Sequence, residues 1–280
     1  SILMNKSSFG SHFTVTTWGE SHGKALGAVI DGCPAGLSLS EEDIQKFLDR
    51  RKPGQSRYTT ARKEGDLVEI LSGVFEGKTT GTPISLMVRN TDQRSRDYGN
   101  IAYSYRPGHA DYTFDAKYGF RDYRGGGRSS GRETIGRVAS GAVASKLLAS
   151  LGISFCTYTK SIGPVSIENF SPEEINNNAF YMPDADAAAK AGTYLEKCMK
   201  NQDSAGGVIE CRITGVPAGL GNPVFEKLDA MLSQAVMSIG AVKAVEIGDG
   251  IHVAHMNGSE DNDGFTIKDN MINKTSNHAG

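Results

Sequence analysis

Hydrophobic and polar positions near the start of the chain have the two-residue period of β-strands. The β-branched and aromatic residues 13–18 predict one strand, and the apolar run at residues 25–31 predicts a second. A Gly- and Pro-containing turn follows the second run. The chain therefore begins with sheet structure.

After that turn the period changes to that of a helix. Within residues 39–51, Ile44 and Leu48 fall on one face, and Ser40 and Asp43 have the spacing of a capping box. A Pro-Gly pair follows a few residues later, so we predict that the helix ends near residue 51.

The next apolar runs, residues 67–75 and 84–88, predict a hairpin around Gly77. The Gly-Lys-Thr sequence at this turn resembles a P-loop, but Ser72 stands where that motif needs its first glycine. A strand is predicted after it, whereas a P-loop requires a helix. We interpret the segment as a hairpin turn.

A long polar segment without clear periodicity spans residues 90–127 and is predicted to be a functional loop. Residues 132–151 then predict a helix with a face of small side chains.

A hexapeptide occurs twice, as Gly-Cys-Pro-Ala-Gly-Leu at residues 32–37 and as Gly-Val-Pro-Ala-Gly-Leu at residues 215–220, an offset of 183. Each copy lies between a predicted strand and a predicted helix. The strands are residues 25–31 and 207–213, and the helices are residues 39–51 and 224–239. We predict an α+β fold with two related halves about a pseudo-twofold axis.

Length and composition are those of a globular protein. The 280 residues include 38% hydrophobic side chains, enough for a core without disulfides, and the four cysteines form no C-x-x-C pair. Residues 1–10 contain no apolar signal-peptide segment, and no run is long enough to cross a membrane. We expect a cytoplasmic protein with no membrane partner.

Arginine is unevenly distributed. Of 14 arginines, 13 lie between Arg50 and Arg137, a segment with 17 basic and 10 acidic residues in a chain of net charge −2. Guanidinium groups pair with phosphate and carboxylate in a bidentate way, so the cluster indicates a compact anionic ligand. A nucleic-acid-binding module is the alternative, although no stacking motif is interleaved and the whole chain is mildly acidic.

The sequence Gly19-Glu20-Ser21-His22-Gly23 matches the G-x-S-x-G pattern of serine hydrolases, with Ser21 as nucleophile. That motif needs a helix directly after it, whereas residues 24–31 predict a strand. A serine hydrolase therefore remains only an alternative. His22, between small residues, is suited to proton transfer near neutral pH, and the second half has Ser204-Ala205 at the same offset.

The glycine-rich residues 125–133 precede a predicted helix, and the free backbone amides at a helix start bind phosphate. The side chains that could contribute are Arg128, Ser129, Ser130 and Arg132. Ser130 and Glu133 have capping-box spacing. His109 lies in a second turn beside an arginine and an aspartate. Together these features indicate proton transfer around a phosphorylated substrate or cofactor. We expect no metal site.

Assembled in this way, the motifs resemble those of the chorismate synthase family almost from end to end. The matching stretches are residues 19–23 with 32–34, 50–57, 90–95, 106–112, 127–133, 237–250 and 276–280. The resemblance implies a β-α-β sandwich, with antiparallel sheets flanking core helices, that assembles as a homotetramer. It also implies one domain over residues 1–280 that lacks about 80 C-terminal residues of the family.

The implied reaction is the 1,4-anti elimination of phosphate from 5-enolpyruvylshikimate 3-phosphate, which gives chorismate for aromatic amino acid biosynthesis. It requires reduced FMN, for which NADPH would be an indirect reductant. His22 would protonate the leaving phosphate, and His109 would protonate the reduced flavin. The implied substrate ligands are Ser21, Arg51, Arg57, Arg106 and Arg132. The implied FMN ligands are Arg128, Ser129, Ser130 and the backbone at Gly240 and Ala241.

Overall fold

In a computed structural model of the chain, the described residues are 4–51, 65–91, 110–119, 121–122 and 127–280. They divide at Val216 into two compact units, and the second is Pro217–Gly280. Both units contain helices together with antiparallel strands, which confirms the mixed helix and sheet content. No helix in the described part of the chain is long and apolar enough to cross a membrane.

A five-stranded antiparallel sheet forms the centre of the first unit. The N-terminal strands are β1 (Ser8–Phe9), β2 (Thr14–Gly19), β3 (Ala25–Asp31), β4 (Val68–Ile70), β5 (Val74–Phe75), β6 (Lys78–Thr79) and β7 (Ile84–Arg89). The order in the sheet is β1-β2-β3-β7-β4, and β5 pairs with β6 as a separate small hairpin. The P-loop-like segment is therefore a hairpin, as predicted.

Two helices cover one face of this sheet. They are α1 (Glu41–Arg51) and α3 (Thr134–Ala149), with the short α2 (Asp111–Tyr118) between them in the chain. Ile30, Ile44, Leu86, Ile135 and Val143 belong to the buried cluster between helices and sheet. Burial of these apolar faces supplies the main stabilisation of this layer.

The start of α1 has the predicted capping box. The Ser40 amide donates to Asp43 Oδ2 (2.9 Å), and the Asp43 amide donates to Ser40 Oγ (3.3 Å). Two backbone donors at the helix start are thereby satisfied reciprocally.

The start of α3 differs from the prediction. A 3-10 turn at Gly131–Glu133 precedes the α-helix, and Ser130 Oγ accepts from the Arg132 amide (3.2 Å). The Glu133 carboxylate instead accepts from the Thr17 hydroxyl, so the predicted capping box is not formed. The predicted loop at residues 90–127 also contains a helix, α2, which the sequence analysis missed.

The rest of the first unit packs a helix on a small sheet. Strands β8 (Ser154–Ile162), β9 (Val165–Ser166) and β10 (Gly207–Thr214) pair in the order β10-β8-β9. Helix α4 (Ala185–Lys200), absent from the sequence analysis, contributes Ala187, Ala188 and Ala191 to a second buried cluster. Asp184 begins this helix by accepting from the amides of residues 186 and 187.

The two hexapeptides have the same local geometry. Gly32 and Gly215 both adopt positive φ, +82° and +79°. A Cβ on Gly32 would lie 1.7 Å from the carbonyl oxygen of His12, and one on Gly215 would lie 2.0 Å from that of Gly152. In each case that carbonyl lies two residues before the neighbouring strand. Only glycine fits such a turn.

The second unit contains α5 (Leu228–Met237) and a hairpin of β11 (Phe265–Lys268) with β12 (Met271–Lys274). The helix is shorter than the predicted 224–239. Within this unit the Asp263 carboxylate accepts from Ser276 Oγ and from the amides of His278 and Ala279. These bonds fix the segment that follows β12.

Candidate active site

The turn Glu20–Gly23 joins β2 to β3 and carries Ser21 and His22. Because β3 follows the turn as an antiparallel strand, the G-x-S-x-G pattern lacks the helix of a nucleophile elbow. Ser21 is buried, and its hydroxyl has no hydrogen-bond partner among the described residues. No described base activates it as a hydrolase nucleophile would require.

Asn90, directly after β7, holds this turn. Its Nδ2 donates to the carbonyl oxygens of Glu20 (2.9 Å) and Gly23 (2.8 Å), and its backbone amide donates to Lys24 O (3.0 Å). Its Oδ1 accepts from Arg132, at 3.2 Å from Nε and 2.9 Å from NH2. One carboxamide thus connects the turn of Ser21 and His22 to a buried guanidinium.

A carboxylate joins this guanidinium to a second one. Asp66 Oδ1 lies 3.1 Å from Arg132 NH2, and Asp66 Oδ2 lies 3.2 Å from Arg51 NH1. The Asp66 side chain is fully buried. Burial lowers the pKa of the Arg51 guanidinium, while the Asp66 charge acts in the opposite direction. Arg51 remains charged, because arginine starts from a very high pKa.

Arg128 lies on the other side of the same turn. Its NH1 donates to Gly19 O (2.9 Å), and its NH2 donates to Thr17 O (3.0 Å) and Thr17 Oγ1 (2.7 Å). The Thr17 hydroxyl in turn donates to Glu133 Oε1 (2.9 Å). Arg128 therefore binds the end of β2 to the 3-10 turns that precede α3.

The structure brings together part of the predicted site. Ser21, His22, Arg51 and Arg132 belong to one connected group, and the 3-10 turn Gly127–Ser129 and Ser130 lie beside it in the chain. Gly240 and Ala241 follow α5 in the second unit. Arg57, Arg106 and His109 lie outside the described residues. Asn90, the first residue of the matching stretch 90–95, and Asp66 were given no individual role in the sequence analysis.

The described arginines of the cluster contact their own chain. Arg89 pairs with Glu69, Arg121 with Asp115, and Arg137 with Glu133, and Arg50 lies 4.6 Å from the centroid of the Tyr181 ring. Arg51 and Arg132 share Asp66, as described above. A nucleic-acid surface would instead present its guanidiniums to solvent. The largely buried Arg51, Arg121 and Arg132 do not do so, whereas Arg50 and Arg89 are exposed, so only the buried members of the cluster argue against that alternative.

Comparison with known proteins identifies the family. A sequence model of the family described as chorismate synthase matches residues 13–280. The chain belongs to the chorismate synthase family. A chorismate synthase of Agathobacter rectalis is 66% identical over 279 residues, which is 99% of this chain and 76% of that relative. A chorismate synthase of Lachnoclostridium phytofermentans is 64% identical over 280 residues, again 99% of this chain and 76% of the relative.

A solved structure supports the same family. The protein of a structure described as "Crystal Structure of Chorismate Synthase" is 34% identical to this chain and superimposes with a TM-score of 0.81. The match covers 96% of this chain and 78% of that one. The similarity to the chorismate synthase fold is therefore found in coordinates as well as in sequence.

Proposed function

We propose that this chain catalyses the chorismate synthase reaction, the 1,4-anti elimination of phosphate from 5-enolpyruvylshikimate 3-phosphate to give chorismate. The substrate carries two carboxylates and a phosphate, so its site needs several cationic donors. The observation that carries the proposal is a chain of hydrogen bonds, buried at its centre. It runs from Arg51 and Arg132, through Asp66 and Asn90, to the turn of Ser21 and His22. It joins anion-binding groups to a proton donor.

His22 is proposed as the acid that protonates the departing phosphate. Imidazole titrates close to neutral pH, so it can hold a proton and release it during turnover. Ser21, whose buried hydroxyl has no partner among the described residues, is proposed to hydrogen-bond the substrate. Arg51 and Arg132 are proposed to bind its anionic groups.

Reduced FMN is the proposed cofactor, and the segments proposed for it have room and donors. Among the described residues, three of the five N–H groups of Arg128 donate to β2, and the other two are proposed to donate to the ligand. Among the described residues, no atom beyond the chain neighbours lies within 4 Å of a Cβ built on Gly127 or Gly240, so we propose that their backbone can approach a ligand. Ser129, Ser130 and Ala241 complete the proposed set. When bound, reduced flavin supplies the electron density that makes loss of phosphate feasible.

The finer features stay proposals, which rest on the resemblance and, for the pseudo-twofold axis and the cytoplasmic location, on the sequence itself. They are His109 as the second acid and Arg57 and Arg106 as substrate ligands. They also include a homotetramer in the cytoplasm, a β-α-β sandwich with a pseudo-twofold axis, and NADPH as an indirect source of electrons.

The test is an anaerobic assay of chorismate and phosphate formation, with reduced FMN and the enolpyruvyl substrate. We expect turnover with reduced FMN and none with oxidised FMN. His22→Gln should lower kcat about 10²–10⁴-fold, the usual contribution of a general acid. His12→Gln is the control, since His12 is exposed before β2. Wild-type kcat in His22→Gln would refute the acid role.

A further inference from the structure

We propose that Asn90 is a positioning residue of this site, which holds His22 and Ser21 in register with the anion-binding guanidiniums. The inference rests on the proposed function, because it assigns a role relative to His22 as proton donor. It follows from four side-chain hydrogen bonds that one carboxamide makes to two different parts of the site.

The donor half of the carboxamide spans the turn. Nδ2 lies 2.9 Å from Glu20 O and 2.8 Å from Gly23 O, the residues on either side of Ser21 and His22. Gly23 N also donates to Glu20 O (3.2 Å), which closes the turn. Because both end carbonyls bind one nitrogen, the two side chains between them are fixed relative to the end of β7.

The acceptor half faces Arg132. Oδ1 accepts from both Nε and NH2, so the fork of Arg132 is oriented by the same group that holds the turn. Asparagine suits this position since it has two donors and an acceptor on one short planar group. Aspartate lacks the donors, and glutamine would place a longer side chain at a position that is only 7% exposed.

The network reaches further through Asp66. Arg132 NH2 contacts Asp66 Oδ1, and Asp66 Oδ2 contacts Arg51 NH1. An anion bound by Arg51 and Arg132 would therefore be positioned relative to His22 through a short series of buried contacts. The rate of a reaction in a bound complex depends on the relative position of the reacting groups, since a misplacement of 1 Å can lower it about 10²-fold.

The chain offers a matched control for this residue. Asn178 also bridges two carbonyl oxygens through Nδ2, those of Glu174 (3.0 Å) and Met182 (2.8 Å), and accepts from the amides of residues 180 and 182. Asn178→Asp makes the same chemical change in a turn before α4, which carries no proposed site residue. Both variants lose the hydrogen bonds that hold a turn together, but only Asn90→Asp alters a turn that carries proposed catalytic residues. Comparing the two therefore shows whether a loss of kcat comes from the position of those residues or from a general loss of structure.

The experiment measures kcat at saturating substrate, so that weaker substrate binding from the charge added beside Arg132 does not enter. We expect Asn90→Asp to lower kcat about 10–100-fold and Asn178→Asp to leave it within about twofold. Asn90→Ser keeps one donor and adds no charge, so its kcat should lie between those of Asn90→Asp and Asn178→Asp. It replaces Asn90→Asp in the test if that variant does not fold. Circular dichroism spectra verify that each variant is folded.

A second readout does not need turnover. The imidazole C2–H proton resonance of His22, assigned by its loss in His22→Gln, should shift or broaden in both Asn90 variants and stay unchanged in Asn178→Asp. If His22→Gln keeps its activity, the proposed acid role is wrong, and the resonance still tests whether Asn90 holds the turn. An unchanged resonance together with unchanged kcat in both Asn90 variants would overturn the proposal, as would equal losses of kcat in Asn178→Asp.

Discussion

Gly136, in the first turn of α3, packs closely against the sheet. A Cβ built there would lie 2.6 Å from the carbonyl oxygen of Gly27 on β3 and 3.1 Å from Thr17 Cγ2 on β2. Because the nearest atom belongs to backbone, it cannot move aside as a flexible side chain could. Gly136→Ala should therefore push α3 away from the sheet.

The magnitude follows from two opposing effects. Overpacking of a well-packed core destabilises by about 1–3 kcal/mol. Replacing glycine by alanine inside a helix stabilises by about 1 kcal/mol. Gly141 lies in the same helix and is exposed, and a Cβ built there meets no atom of the described residues within 4 Å outside its own helix. Both positions lie within α3, so most of this helix-propensity gain cancels in the comparison between Gly136→Ala and Gly141→Ala.

Urea denaturation followed by far-UV circular dichroism measures both variants. We expect Gly141→Ala to unfold at higher urea than wild type, and Gly136→Ala to be about 1–3 kcal/mol less stable than Gly141→Ala. The m-value should be the same in both, since the surface exposed on unfolding hardly changes. Equal midpoints for the two variants would show that the contact at Gly136 relaxes without cost, and the reasoning would be wrong.

Two further predictions concern pH. Hydrogen bonds from four backbone amides, that of Glu168 foremost, lower the pKa of Asp184. The ionised carboxylate therefore stabilises the folded state fully above about pH 4, and this contribution is lost as the pH falls through the folded-state pKa. Asp184→Ala should thus cost about 1 kcal/mol at pH 7 and less at pH 3, measured by urea denaturation. The Asp249 carboxylate lies 2.7 Å from His278 Nδ1 and raises the pKa of His278. The stabilisation from this ion pair is therefore fully present below about pH 6.5 and is lost as the pH rises through the raised pKa. An NMR titration of His278 should show a midpoint that falls in Asp249→Asn, and an unchanged midpoint would contradict the pairing.

The elements predicted correctly are those whose boundaries are set by residues near each other in the chain. Strand β3 has the predicted bounds, and α1 begins with the predicted capping box, whose two residues lie close together in the chain. The start of α3 was wrong because Glu133 bonds Thr17, which is 116 residues away in the chain, instead of its own helix end. Helix α4 had a readable signal, an aspartate cap before an alanine-rich run, that the sequence analysis did not use.

The site was predicted by residue type more than by geometry. The arginine cluster and His22 stood out because few side chain types bind anions in a bidentate way or transfer protons near neutral pH. Asn90 and Asp66 did not, since an asparagine after a strand and an aspartate in a loop are common, and their roles depend on partners distant in sequence. Arg132 lies 42 residues from Asn90 and 66 from Asp66. Such contacts appear only when the sheet and α3 are assembled.

The packing at Gly136 and the network at Asn90 depend on each other. Arg128 and Arg132 lie in the two 3-10 turns directly before α3, so the distance of α3 from the sheet sets how far their guanidiniums reach. With the helix pushed outward by a methyl group, Arg128 would retreat from Thr17 O and Arg132 from Asn90. Gly136→Ala should therefore lower kcat as well as stability, while Gly141→Ala changes stability alone. Full activity in a destabilised Gly136→Ala would show that the guanidiniums are held by the 3-10 turns themselves, and not by the approach of the helix.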